Sequence, residues 1–132
     1  NPRVLDTVSE ILQYNSKIKI SMNGEHVFHE LNEVVTIEAD GPSVRLFLKN
    51  GKSYFIPYSL KDFEDNLRAK NFVRIHHSFI ININHVVRYQ KGNGRGLKVF
   101  MTNGQLVEVS VRKKKDFFEV IELIGLSTNL NN

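Results

Sequence analysis

FVRIHHSFIININ, residues 72–84, is the stretch whose reading decides the fold. It opens as a strand, with Val73, Ile75 and His77 facing one way and Phe72, Arg74 and His76 the other. Two adjacent histidines, a serine and two asparagines then interrupt an otherwise apolar run. Each polar group that is buried must find a partner, so a purely structural sheet gains nothing from so many together. Some of these side chains are therefore expected to leave the core and face a polar ligand. A second polar stretch, Ser110-Val111-Arg112-Lys113-Lys114-Lys115, closes another strand further on. The functional question is whether the two stretches meet on one surface.

Working outward, the chain is punctuated by Asn23-Gly24, Asn50-Gly51 and Asn103-Gly104, each between two runs of alternating apolar residues. Asn-Gly suits a type I′ turn because both residues tolerate positive φ. Three such strand–turn–strand units predict a mostly β fold of antiparallel sheets with a few short helices. Their irregular spacing excludes a solenoid. Residues 34–39, rich in β-branched side chains, and residues 86–90 read as further strands. Asp40-Gly41-Pro42-Ser43 reads as a loop, and Gly92-Asn93-Gly94-Arg95-Gly96 as a flexible basic hairpin loop. Ser59 is placed to cap a helix running to Arg68, and Lys113 to Ile124 form a final helix stopped by Gly125. The domain is expected over residues 17–125. Residues 1–16 are expected to be a linker helix or N-terminal extension, with Val4, Leu5, Val8, Ile11 and Leu12 on one face of a helix that packs on the domain or leads from an upstream one, and residues 126–132 a polar tail.

The 132 residues suffice for one domain, and 41% of them are hydrophobic, enough for a core. The net charge of +4 is unevenly spread: residues 87–115 hold eight basic side chains against Glu108 alone. A local basic field on a near-neutral body points to a polyanion, nucleic acid first and an anionic membrane surface second. The chain has no cysteine, which excludes a disulfide framework and a thiolate zinc site and fits a reducing cytoplasm. No stretch reads as a signal peptide or a membrane span. The chain opens on Asn1 rather than methionine, compatible with a piece of a longer protein.

No catalytic constellation is present. The glycine-rich loop lies between strands, not between a strand and a helix, and His77 and Ser78, read as strand neighbours, point apart. No metal site is expected: His26 and His29 fall on opposite faces of a strand, and with His85 they read as exposed or internally partnered. No cofactor is expected either. The basic run from Arg112 to Lys115 is different, because lysines at a helix start oppose the helix dipole. An outside anion would compensate them, and phosphates bind well at helix starts and lysines.

These residues resemble the LytTR DNA-binding domain of bacterial response regulators. Phe72 to Val86 is similar to that family's signature of phenylalanine, arginine, histidine and serine at alternate positions, followed by three hydrophobic residues and an asparagine. Leu97 to Met101, Asn103-Gly104 and Val109-Ser110-Val111-Arg112 resemble its strand–turn–strand ending in Val-Ser-x-Arg. Val34 to Ala39 with Asp40, Arg45 to Leu48, and the helix from Leu60 to Leu67 fit its front half, so the resemblance covers about residues 17–124.

The resemblance implies antiparallel sheets without a helix-turn-helix, and loops that enter successive major grooves on one face of double-stranded DNA. The contact loops would be Asp40 to Ser43, the turn around His77, and the strand end at Arg112. His77 and Arg112 would read bases; Ser43, Ser78, Lys91, Arg95, Ser110, Lys113 and Lys114 would supply phosphate or supporting contacts. His76 matches the family's regular histidine and would be structural. A histidine at 77, where arginine or asparagine is also common, leaves the preferred base open, and the Asp40 loop is short and carries no basic residue. The family also implies direct-repeat sites, self-association on DNA, a cytoplasmic two-component transcription factor and an upstream receiver domain. Two other readings of the basic region remain: an interaction module for a membrane surface or protein, and a single-strand binder stacking bases on Tyr54, Phe55, Tyr58 or Tyr89.

Overall fold

Ten strands make up about half of the residues described in a computed structural model, which covers residues 17–67, 70–92 and 94–123. The helix expected over residues 3–14, the end of the helix expected at Arg68, and the stop at Gly125 with its tail lie outside the described residues.

Strands β1 (Lys17–Met22) and β2 (Glu25–Glu30) form a hairpin. The central sheet holds β3 (Val34–Asp40), β4 (Ser43–Leu48), β5 (Ser53–Ile56), β6 (Phe72–His76) and β7 (Phe79–Asn82) in the order β5-β4-β3-β7-β6. A third sheet holds β8 (Val86–Lys91), β9 (Leu97–Met101) and β10 (Leu106–Val109) in the order β10-β9-β8. Every pairing is antiparallel. Two helices complete the fold, α1 (Leu60–Leu67) and α2 (Lys114–Leu123). The mostly β architecture read from the sequence is the one found.

The central sheet is buried on both faces, so its strands do not alternate cleanly between apolar and polar. Ile37, Val44, Leu46, Phe72 and Ile80 belong to one core, shared with Ile20 of β1 and with Leu60 and Leu67 of α1. Val35, Val73, Ile75 and Ile81 belong to another, shared with Val99, Val107 and Val109 of the third sheet and Phe117 of α2. This explains the β-branched run in β3: a strand covered on both sides needs apolar residues at every position.

The Asn-Gly turns are not all alike. At Asn23-Gly24 both residues have positive φ, 50° and 80°, and the loop has two residues, as the type I′ reading requires. At the other two sites only the glycine is positive, at 91° for Gly51 and 90° for Gly104. There the amide of Gly51 donates to Leu48 O and that of Gly104 to Met101 O. These are three-residue loops, a turn followed by a left-handed bulge. The asparagine instead accepts from the amide two residues on, at 2.9 Å from Lys52 and 3.0 Å from Gln105. Type I′ geometry is thus correct once and wrong twice.

Helix α1 is capped reciprocally. Asp62 N–H donates to Ser59 Oγ at 3.3 Å, and Ser59 N–H donates back to Asp62 Oδ2 at 3.1 Å. Asn82, buried at 1% exposure, donates to Val34 O at 2.9 Å and accepts from the amide of Asn84 at 2.9 Å. This asparagine therefore stitches β7 to the entry of β3 and does not leave the core.

Candidate nucleic-acid interface

The β6–β7 connection builds the first part of the site. Strand β6 ends at His76, and His77 and Ser78 form the turn. The expected alternation through His77 is thus cut short: a bulge between Arg74 and His76 shifts the register, and His76 pairs with Phe79. The turn is held from below by Arg74. Its Nε donates to His76 O at 2.9 Å, its Nη2 to His77 O at 2.6 Å, and its Nη1 to Glu64 Oε1 of α1 at 2.9 Å. His76 Nδ1 accepts from the Ser78 amide at 3.0 Å, and its ring packs 5.8 Å from that of Phe79. His76 closes the turn, and His77 is left exposed at its tip.

Backbone hydrogen bonds bring the other segments to this tip. The amide of Ser110, just beyond β10, donates to Ile75 O at 2.8 Å. The two polar stretches therefore do meet. On the other flank the amide of Ala39 donates to Ser78 O at 2.9 Å, which sets the β3–β4 turn of Asp40 to Ser43 beside the histidine turn. Within it Gly41 has φ 63°, the positive first position that a Gly-Pro two-residue loop takes in a type II′ turn. The β8–β9 loop joins the same edge, because Leu97 pairs with Lys91 on one side and Val109 on the other. Its position is fixed again by Lys114, whose Nζ donates to Arg95 O at 2.8 Å.

From Ser110 the chain turns through a short 3-10 turn, Val111–Lys113, into α2. Arg112 is exposed on that turn, and among the described residues its guanidinium makes no hydrogen bond or ion pair. The lysines are partly compensated within the chain. Lys113 Nζ stands 3.9 Å from Asp116 Oδ2, an acid in the first turn of α2, and Lys114 holds the Arg95 carbonyl. The dipole argument for an outside anion is correspondingly weaker. What remains is geometric: Lys91, Arg95, Arg112 and Lys115 are exposed, and Lys113 and Lys114 half-buried, along one edge.

The serines differ in access. Ser78 and Ser110 are half-buried at the edge, whereas Ser43 is 9% exposed. Its loop neighbour Asp40 is paired with Arg45 at 3.6 Å. The residue to which sequence reading gave no role is Arg74, although the family signature includes it. A guanidinium inside an apolar strand must find several acceptors when half-buried.

The remaining histidines are engaged away from this edge. His26 Nδ1 lies 2.7 Å from Ser21 Oγ, and His29 Nε2 lies 3.0 Å from Tyr54 Oη. Buried His85 bonds Asn32 O through Nε2 and Thr102 Oγ1 through Nδ1. A carbonyl only accepts, so in the neutral ring Nε2 carries the proton and Nδ1 accepts from the threonine. Among the described residues no group of three His, Asp or Glu side chains converges as a metal site. Among them, too, no helix is long and apolar enough to cross a membrane.

A family model and two known proteins resemble the chain. The family model of the LytTr DNA-binding domain matches residues 24–122, which include every strand from β3 to β10 and the whole edge described above. The CO-responsive transcriptional regulator RcoM of Rhodospirillum rubrum is 32% identical over 97 residues, 73% of this chain. The match spans only 41% of that relative's length. The solved structure of a LytTr DNA-binding domain from Bacillus cereus shares the fold, with a TM-score of 0.70 and 24% identity over 80% of this chain and 96% of that one. With the family's sequence pattern and fold found together, the chain belongs to the LytTR DNA-binding domain family.

Proposed function

We propose that this domain binds double-stranded DNA sequence-specifically, as the output module of a bacterial transcription factor, by placing its edge loops in the major groove. The observation that carries the reading is the convergence of the His77 turn and the Ser110–Arg112 segment, joined by the Ser110–Ile75 hydrogen bond. It sets two exposed side chains with uncommitted donors on one edge. Arg112 offers a planar fork that matches the O6/N7 edge of guanine, worth about 1–3 kcal/mol of discrimination. His77 donates to or accepts from a second base edge. Lys91, Arg95, Lys113 and Lys114, with the hydroxyls of Ser78 and Ser110, meet phosphates, which set affinity and register rather than sequence. Ser43, nearly enclosed, supports its loop and reaches phosphate only through its remaining exposed surface.

The wider context belongs to the same proposal: a cytoplasmic response regulator of a two-component system, with an upstream receiver domain, binding direct repeats as self-associating pairs. Single-strand stacking gains little support from the aromatic rings: Phe55, Tyr58 and Tyr89 are exposed, but each already has a neighbouring ring or guanidinium. Tyr89 packs on Phe117 and Phe118, Tyr54 on His29, Tyr58 on Phe63, and Phe55 beneath Arg45. None of these four belongs to the edge loops.

Selection from a pool of random duplexes tests the reading. An enriched motif, bound more tightly than either of its single strands, is the expected result. Salt-sensitive binding without any enriched motif would reduce the edge to a basic interaction surface.

A further inference from the structure

A groove of about 570 Å³ opens between the β1–β2 hairpin and α1, lined by Ile18, Leu31, Ile56, Tyr58, Phe63 and Leu67 and by five polar or charged residues, three of them lysines. Leu31, Ile56 and Leu67 are also members of the core, so the groove floor is the outer surface of that core. Tyr58 stands 59% exposed at its side. A groove lined by both apolar and charged side chains suits an amphipathic partner.

The chain itself supplies one. Lys17, the first described residue, lines the groove, so residues 1–16 lead directly out of it. In that segment Val4, Leu5, Val8, Ile11 and Leu12 recur three and four apart. At 100° per residue they occupy a stripe about 120° wide, the width of a core-facing helix stripe. Asp6 and Glu10 fall on the opposite side of the same helix, where they would meet solvent. A helix of this length is about 18 Å long and is marginal alone in water, so its formation depends on a surface that covers the stripe. Residues 15 and 16 then span up to about 7 Å, a short connection back to Lys17, which itself lines the groove.

We propose that residues 3–14 form an amphipathic helix that seats in cis in this groove, with Val4, Leu5, Val8, Ile11 and Leu12 against Ile18, Tyr58 and Phe63. The seat covers the side of α1 that carries Phe63 and Leu67, while Glu64 of the same helix holds Arg74 beneath the histidine turn. The proposal does not depend on the DNA-binding reading.

Paramagnetic relaxation in the full chain tests it. The chain has no cysteine, so Ser9→Cys carries a nitroxide at one site, off the apolar stripe. In labelled chain, the amide signals of Leu31, Ile56, Tyr58 and Phe63 are expected to lose more than half their intensity. They should recover when unlabelled nitrogen-15 chain is mixed with labelled chain at natural abundance. Adding Val8→Asp should abolish the effect while the amide shifts of β6 and β7 stay in place. Intensity loss in the mixture would put a second copy's segment in the groove and overturn the proposal. So would loss that avoids the groove residues, or loss that survives Val8→Asp.

Discussion

Arg74 Nη2 donates to the carbonyl of His77 at 2.6 Å, so a guanidinium inside β6 fixes the backbone that carries the exposed histidine. The same group bonds His76 O and Glu64 Oε1, which ties the turn to α1. With the Arg74 side chain 19% and the Glu64 side chain 23% exposed, this pair is partly shielded and closely spaced at 2.9 Å. Its removal should be felt more than that of a surface ion pair. Arg74→Ala is expected to destabilise the fold by about 2–3 kcal/mol, because Glu64 and two carbonyls lose their donor. Arg74→Lys should recover little, since a single ammonium cannot reproduce the fork. Urea denaturation checks both, with the midpoint moving and the slope unchanged.

Asn82 offers a second test, of stability alone. Asn82→Ala leaves Val34 O without its donor and the Asn84 amide without its acceptor. A loss of about 1–3 kcal/mol is expected. Asn82→Asp should cost more, because it aims an acceptor at the Val34 carbonyl in a buried site. Calorimetric melting of the two variants checks the order.

Phe117 anchors the helix that carries the lysines. It is fully buried, and Tyr89 of β8 packs against it edge-on at 5.3 Å. Phe117→Ala is expected to cost about 3–5 kcal/mol through the cavity it opens. Amide exchange should then rise first in α2, because that helix loses its main anchor in the core.

Binding to phosphates predicts a salt signature. Replacing Lys91 and Arg95 together by alanine should lower affinity for all duplexes alike. For every phosphate that is no longer neutralised, the slope of log affinity against log salt should fall by about 0.9. Titrations at several salt concentrations, on a preferred site and on an unrelated duplex, check that the weakening is uniform.

Much of the fold was legible in the sequence, for physical reasons. The strand–Asn-Gly–strand units marked the hairpins because that dipeptide has few other uses between alternating runs. Ser59 marked the start of α1 because a helix cap is a local bond. Turn type was not legible, since loop length decides it and the flanking pairing fixes loop length. Nor was the end of β6 at His76, which depends on a bulge and on Arg74 reaching carbonyls set by the tertiary fold. Asn82, one of the polar residues among which ligand-facing groups were expected, is instead a core fastener whose partner Val34 lies far along the chain. The meeting of the His77 turn with the Arg112 segment is fixed by the Ser110–Ile75 hydrogen bond and by the core that Ile75 shares with Val109 and Phe117, long-range contacts that no local pattern encodes.

Direct readout by Arg112 and His77 is best tested by a base-by-base comparison on one selected duplex. Every position is substituted in turn, and affinities are measured for the wild-type chain, Arg112→Ala, His77→Ala and Lys113→Ala at a fixed salt concentration. Arg112→Ala is expected to erase a preference worth about 1–3 kcal/mol at one guanine and to leave the other positions discriminating. His77→Ala should do the same at a different position, and Lys113→Ala should weaken every duplex equally. Uniform weakening by Arg112→Ala and His77→Ala, with the full base preference intact, would contradict direct readout by these two residues.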